Sequence, residues 1–179
     1  MGKRSRARRI RMILTDVDGT LTDGSLAIHP GGEEIKSYNV KDGLGVLIAQ
    51  LADFKIGFIT GKTSRLLEQR AARLRIDELH QGVIDKMPVF RSILSKYGLR
   101  AEEVAYIGDD LGDLAVLRAA GLAGAPADAV PAVRDRVHFI CRRRGGDGAF
   151  REFVDFIIGA QGKWDLITGR FAEILNRKI

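Results

Sequence analysis

One cysteine, Cys141, is all the chain offers, so no disulfide can close within it and an oxidising, exported setting is not indicated. Long apolar runs are missing too. No stretch approaches the roughly 18 apolar residues a membrane span requires. Ile10–Leu14 is too short and too interrupted by Arg11 to serve as the apolar core of a signal peptide, so a cytoplasmic protein is expected. Acids are absent from the first eleven residues, where Lys3, Arg4, Arg6, Arg8, Arg9 and Arg11 supply six positive charges. Those six equal the whole formal net charge of +6, so the rest of the chain is neutral and no basic stripe for nucleic acid is implied. Internal repeats and low-complexity linkers are also missing. Residues 1–11 read as a basic flexible tail, 12–163 as one domain, and 164–179 as a C-terminal tail of helical spacing that docks on the body or on a neighbour.

What is present is alternation. Met12–Thr15, Lys55–Ile59, Val104–Ile107 and Leu122–Ala125 are short apolar runs bounded by Gly, Asp or Pro, as buried parallel strands are. Between them Gly43–Ala52, Ser64–Leu74, Pro88–Tyr97, Asp113–Ala120, Pro131–Arg136 and Ala149–Gly159 carry helical periodicity. The expected fold is α/β, a Rossmann-like parallel sheet with helices on both faces, which binds ligands beyond the carboxyl ends of its strands. Leu26–His29 and Glu34–Tyr38 flank Pro30-Gly31-Gly32 and predict a β-hairpin inserted after the first strand.

Two acidic clusters sit where such a sheet places its ligands. Asp16-Val17-Asp18-Gly19-Thr20 follows the first strand, and Gly108-Asp109-Asp110-Leu111-Gly112-Asp113 follows Val104–Ile107. Carboxylates converging on one point repel one another unless a cation intervenes, and an all-oxygen set favours Mg²⁺. Thr60 ends another strand and can donate a hydroxyl to a phosphate oxygen, helped by the N–H of Gly61. Lys86, before Pro88–Tyr97, can add a point charge. Each alone has a plain structural explanation, as a helix cap or a surface lysine; the four in this order at element ends point to phosphoryl chemistry.

These four stretches resemble the motifs of the haloacid dehalogenase superfamily, over nearly the whole chain after the tail. Within it the chain is most similar to the 3-deoxy-manno-octulosonate 8-phosphate (KDO 8-phosphate) phosphatases. The likeness is carried by Leu21–Gly24, Tyr38–Gly43, Gln81–Val83, Tyr106–Leu111, Gly145–Glu152 and Ala160–Lys163. The resemblance implies a Mg²⁺-dependent phosphomonoesterase that releases KDO and phosphate in lipopolysaccharide precursor synthesis. It makes Asp16 the nucleophile, Asp18 the general acid and base, and Thr60 and Lys86 the stabilisers of the transferring group. It gives the metal to the carboxylates of Asp16 and Asp109 and the backbone carbonyl of Asp18. Asp113 is expected to orient Lys86 or a metal-bound water. Asn39, Val40, Lys41, Asp42, Gly43, Lys62 and Arg70 match substrate-contacting positions.

Asp16 to Thr60 and Thr60 to Lys86 leave no room for a cap domain. The resemblance therefore implies a homotetramer built through the hairpins, with the C-terminal tail reaching toward a neighbour's site; the Gly145–Gly148 loop with Arg142, Arg143 and Arg144 is a further candidate to complete a neighbour's pocket. The substrate is expected to be a small sugar acid phosphate, with no nucleic acid or membrane partner. Lys41 and Lys62 replace arginines usual in the octulosonate enzymes, and Leu47 replaces a basic residue found in some. Asp147 and Phe150–Phe153 look like relatives acting on nine-carbon 2-keto-3-deoxy-nononate 9-phosphate, whereas Ala160–Lys163 matches the eight-carbon side. A nucleic acid end phosphatase and a catalytically silent binding module are the readings from other classes.

Overall fold

The computed structural model describes residues 1–32 and 34–176. Six strands form one parallel sheet: β1 (Met12–Thr15), β4 (Lys55–Ile59), β5 (Glu78–His80), β6 (Val104–Ile107), β7 (Leu122–Ala125) and β8 (Phe139–Ile140), in the order β5-β4-β1-β6-β7-β8. A separate antiparallel pair, β2 (Ala27–Ile28) and β3 (Glu34–Ile35), is the hairpin. Among the described residues no cap domain stands between it and the sheet.

β1 is buried at all four positions because both its faces are covered. Ile13 packs with α1 (Lys3–Ala7), α2 (Val40–Leu51), α3 (Arg65–Leu74), α7 (Ala149–Gln161) and α8 (Trp164–Asn176). Met12 and Leu14 point the other way, toward α4 (Lys86–Tyr97), α5 (Leu114–Ala119) and α6 (Pro131–Arg134). Each such fully buried side chain stabilises the fold by about 1.5–3 kcal/mol.

One expectation of the sequence changes here, and another narrows to one of its two alternatives. The basic segment is not a loose tail: α1 covers the sheet, and Ala7 and Ile10 are buried in the core. Gln161 Nε2 donates to the carbonyls of Ala7 (2.9 Å) and Ile10 (2.8 Å), and Arg6 Nη1 donates to Gly121 O (3.0 Å). The arginines dominate a charge count, but two small apolar positions decide the packing. α8 likewise docks on its own body, burying Ile167, with Arg170 Nη1 bound to Leu51 O (2.5 Å) and Asp53 Oδ1 (2.7 Å). Residues 177–179 lie outside the described residues.

Helix starts decide what reaches the site. α2 begins at Val40, three residues before the periodicity suggests, because Asn39 Oδ1 caps it by accepting from Lys41 N (2.8 Å). α4 begins at Lys86 itself, capped by Asp85, whose Oδ1 accepts from Met87 N (3.1 Å). Lys86 is thereby fixed in the first turn instead of hanging from a loop. The segment expected as a helix from Asp113 opens as a 3₁₀ turn over Leu111–Asp113 before α5.

Candidate active site

Neighbouring parallel strands β1 and β6 end side by side, with Thr15 in register with Ile107. Asp16 leaves β1 with its N–H bound to Ile107 O (2.9 Å), so the Asp16 and Asp109 turns share one edge. Carboxylate oxygens of Asp16, Asp109 and Asp113 all lie within 4.8 Å of one another. Gly19, at φ +91°, lets the first turn fold against the second; a Cβ there would meet Asp109 Oδ2 at 2.2 Å. Thr20 Oγ1 donates to Asp109 Oδ1 (3.1 Å).

Lys86 Nζ enters this cluster from below, 2.5 Å from Asp16 Oδ1 and 2.7 Å from Asp113 Oδ1. Asp113 is fully engaged. Its Oδ1 also accepts from Tyr106 OH (2.6 Å), and its Oδ2 accepts from the N–H groups of Asp109 (3.0 Å) and Asp110 (3.2 Å). A carboxylate with four donors is poorly placed to ligate directly, although its oxygens fall within range of the other two. It holds Lys86 and the second turn. Among the described residues Asp109 Oδ2 accepts no hydrogen bond, while the Asp16 carboxylate has the backbone of Val17 beside it as well as Lys86.

The electrostatics are those of a cation site. Burial, with the charge of Asp113, raises the Asp16 carboxyl to about 6 despite the opposing pull of Lys86. Burial, with Asp16 and Asp113, raises Asp109 to about 8. Such carboxylates favour a proton or a metal ion over sharing the site as bare charges. The donor set is three clustered carboxylates, all oxygen, so a hard divalent ion fits.

Asp18 stands apart from that cluster. Thr60, buried at the end of β4, donates Oγ1 to Asp18 Oδ2 (3.3 Å) and accepts from Lys62 N (3.2 Å). The other oxygen, Oδ1, is paired with Lys36 Nζ from the hairpin side. Lys36 was not singled out by the sequence. It lies 18 residues from Asp18, and no motif marks a lysine one step past Ile35 as inward-facing.

The structure thus gathers Asp16, Lys86 and Asp109 in one cluster and pairs Asp18 with Thr60 at the neighbouring strand end. The remaining sequence candidates form an outer set. Asn39, Asp42, Gly43 and Arg70 surround one small cavity, with the Arg70 guanidinium 5.7 Å from the Tyr38 ring centre. Asp42 turns inward: its Oδ1 accepts from Arg151 N (2.9 Å) in the first turn of α7, and burial raises it to about 6. Val40 is 82% exposed and Lys62 is half-exposed. Lys41 borders a separate groove with Arg144 and Asp147.

The Gly145–Gly148 loop serves its own chain. A Cβ on Gly145 would meet Gly19 O at 1.9 Å, and Gly146 N donates to Thr20 O (3.1 Å). Asn39 Nδ2 donates to Gly146 O (3.1 Å). Arg142, Arg143 and Arg144 pair with Glu152, Asp147 and Asp128. The loop therefore buttresses the Asp16 turn from behind.

Comparison with known proteins agrees with this geometry. A family model described as haloacid dehalogenase-like hydrolase matches residues 69–152. The 3-deoxy-D-manno-octulosonate 8-phosphate phosphatase of Escherichia coli strain K12 is 42% identical over 166 residues, 93% of this chain and 88% of its own. The Moraxella catarrhalis phosphatase of that name, solved in complex with magnesium ion, phosphate ion and KDO, has a TM-score of 0.90 at 33% identity, covering 94% of this chain and 97% of that one. The cobalt-bound deoxy-D-mannose-octulosonate 8-phosphate phosphatase of Haemophilus influenzae has a TM-score of 0.85 at 40% identity, covering 88% and 92%.

Proposed function

The chain belongs to the 3-deoxy-D-manno-octulosonate 8-phosphate phosphatase family of haloacid dehalogenase-like hydrolases, and from that premise we propose that it hydrolyses KDO 8-phosphate to KDO and phosphate. The observation that carries the reading is the convergence of Asp16, Thr60, Lys86 and Asp109 on one strand edge.

Asp16 attacks phosphorus and becomes an aspartyl-phosphate as the bond to the sugar oxygen breaks. Asp18 gives that oxygen its proton, then accepts one from the water that cleaves the aspartyl-phosphate. Lys86 and Thr60 place a cation and a hydroxyl against the transferring group. Mg²⁺ held by Asp16 and Asp109 would neutralise charge between nucleophile and phosphoryl oxygens. Asp113 keeps Lys86 aimed at Asp16.

Lys62 and Arg70, the latter sharing a small cavity with Asn39 and Gly43, offer cations that suit the carboxylate of a sugar acid. The eight-carbon acid is favoured over the nine-carbon alternative by the relatives' shared identity across nearly the whole chain. Exposed apolar side chains support assembly: Leu26, Ile28 and Ile35 on the hairpin are each more than half exposed, and Ile84, two residues before Lys86, is 88% exposed. A cytoplasmic homotetramer assembled through these residues would supply the walls that a capless site lacks.

A phosphate-release panel tests the substrate. KDO 8-phosphate should be turned over with Mg²⁺ far faster than the nononate 9-phosphate or a 5′-phosphorylated oligonucleotide. Preference for either of the latter would overturn the assignment.

A further inference from the structure

Each of the two aspartates in the first turn has its own lysine. Lys86 serves Asp16 from the first turn of α4, and Lys36 serves Asp18 from the hairpin. The Lys36 side chain is only 5% exposed, an unusual state for a lysine, and Asp18 is its one acidic partner among the described residues. Asp18 itself is 27% exposed on a short turn. Left alone, such a carboxylate has several rotamers open to it. Lys36 on Oδ1 and Thr60 on Oδ2 leave it one direction.

We propose that Lys36 is a positioning residue for the reaction, holding the Asp18 carboxylate in the orientation that serves the leaving-group oxygen. This rests on the acid and base role given to Asp18 above. The hairpin is then part of the catalytic apparatus as well as an assembly surface. Ile35 and Lys36 are successive residues of one extended segment and point to opposite sides, Ile35 outward at 53% exposure and Lys36 inward.

Competing with this is a purely architectural role, in which the ion pair only ties the hairpin down. Kinetics of Lys36→Met, Lys36→Arg, Asp18→Asn and the Lys36→Met/Asp18→Asn double variant separate the two, with KDO 8-phosphate and p-nitrophenyl phosphate as substrates. Lys36→Met should lower kcat on the sugar acid phosphate about 10- to 100-fold, the cost of a misplaced catalytic group. KM should stay within about threefold, and the aryl substrate, whose leaving group hardly needs a proton, should lose far less. Lys36→Arg, which keeps the charge, should recover part of the rate. In the Asp18→Asn background the same substitution should cost no more than about twofold, because the group it positions has gone.

A rise in KM at unchanged kcat, or a full multiplicative loss in the double variant, would overturn the inference. If Asp18→Asn shows a leaving-group-dependent loss while Lys36→Met acts additively, only the role of Lys36 falls. Equal losses on both substrates in Asp18→Asn would remove the acid role itself, and the inference with it.

Discussion

Lys86 and Asp16 form a buried ion pair, 2.5 Å from Nζ to Oδ1, at the point where the first strand meets its acidic turn. Burial alone would lower the lysine's proton affinity, yet Asp16 and Asp113 reverse that and hold the ammonium above its ordinary range. Lys86→Met would leave two buried carboxylates facing one another. Breaking a buried pair in this way costs about 3–5 kcal/mol, so the variant should melt well below wild type in metal-free buffer. Its phosphatase rate should fall by at least about 100-fold, as the loss of a charged transition-state contact does. Asp113→Asn keeps the shape but weakens the grip on Lys86, and should be intermediate in both measurements.

The raised carboxyls of Asp16 (about 6) and Asp109 (about 8) fix the sign of the pH response. In metal-free protein each contributes stability that is complete at low pH and is lost as pH rises through those values. A cation must displace the protons, so Mg²⁺ binding should release protons and strengthen as pH rises to about 8. The Mg²⁺-induced rise in melting temperature should therefore be larger at pH 8 than at pH 6. An equal rise at both would mean that these carboxyls do not hold the ion.

Gly19 has no room for a side chain. A Cβ would sit 2.2 Å from Asp109 Oδ2, on a backbone at φ +91°. Gly19→Ala should push Asp109 aside, reducing both activity and the Mg²⁺ thermal shift while leaving the distant core intact. A protein with undiminished Mg²⁺ response would show that the turn yields without cost.

Assembly can be tested on the hairpin's outer face. Ile28→Asp with Ile35→Asp should shift the chain from tetramer toward monomer in sedimentation. Activity on the sugar acid phosphate should drop more than that on nitrophenyl phosphate, which needs only the catalytic floor. A monomer with full sugar acid activity would rule out borrowed walls.

Much of this site was legible in the sequence because parallel strands deliver their carboxyl ends to one edge. Asp16 and Asp109, after two apolar runs, could hardly be placed apart once the alternation was recognised. Thr60 followed for the same reason, at the end of β4. Lys36 could not be found that way. Its position depends on how the hairpin leans back over the first turn, a tertiary fact with no local signal. The N-terminal segment was misjudged because Ala7 and Ile10 carry little weight beside six cations, although burying them requires no change in any charge. Asp42 falls between: its place in the motif is visible, but its inward turn onto Arg151 N is set by the close packing of α2 on α7, where a Cβ on Gly45 would lie 3.2 Å from Arg151 Cα.

Phosphate release from KDO 8-phosphate by wild type and Asp16→Asn, measured side by side with and without Mg²⁺, tests the central claim most directly. Wild type should be active only with the ion, and Asp16→Asn, folded and of the same oligomeric state, should lose at least about 1,000-fold with its nucleophile gone. Asp16→Asn protein retaining more than a few per cent of the wild-type rate would contradict the aspartyl-phosphate mechanism.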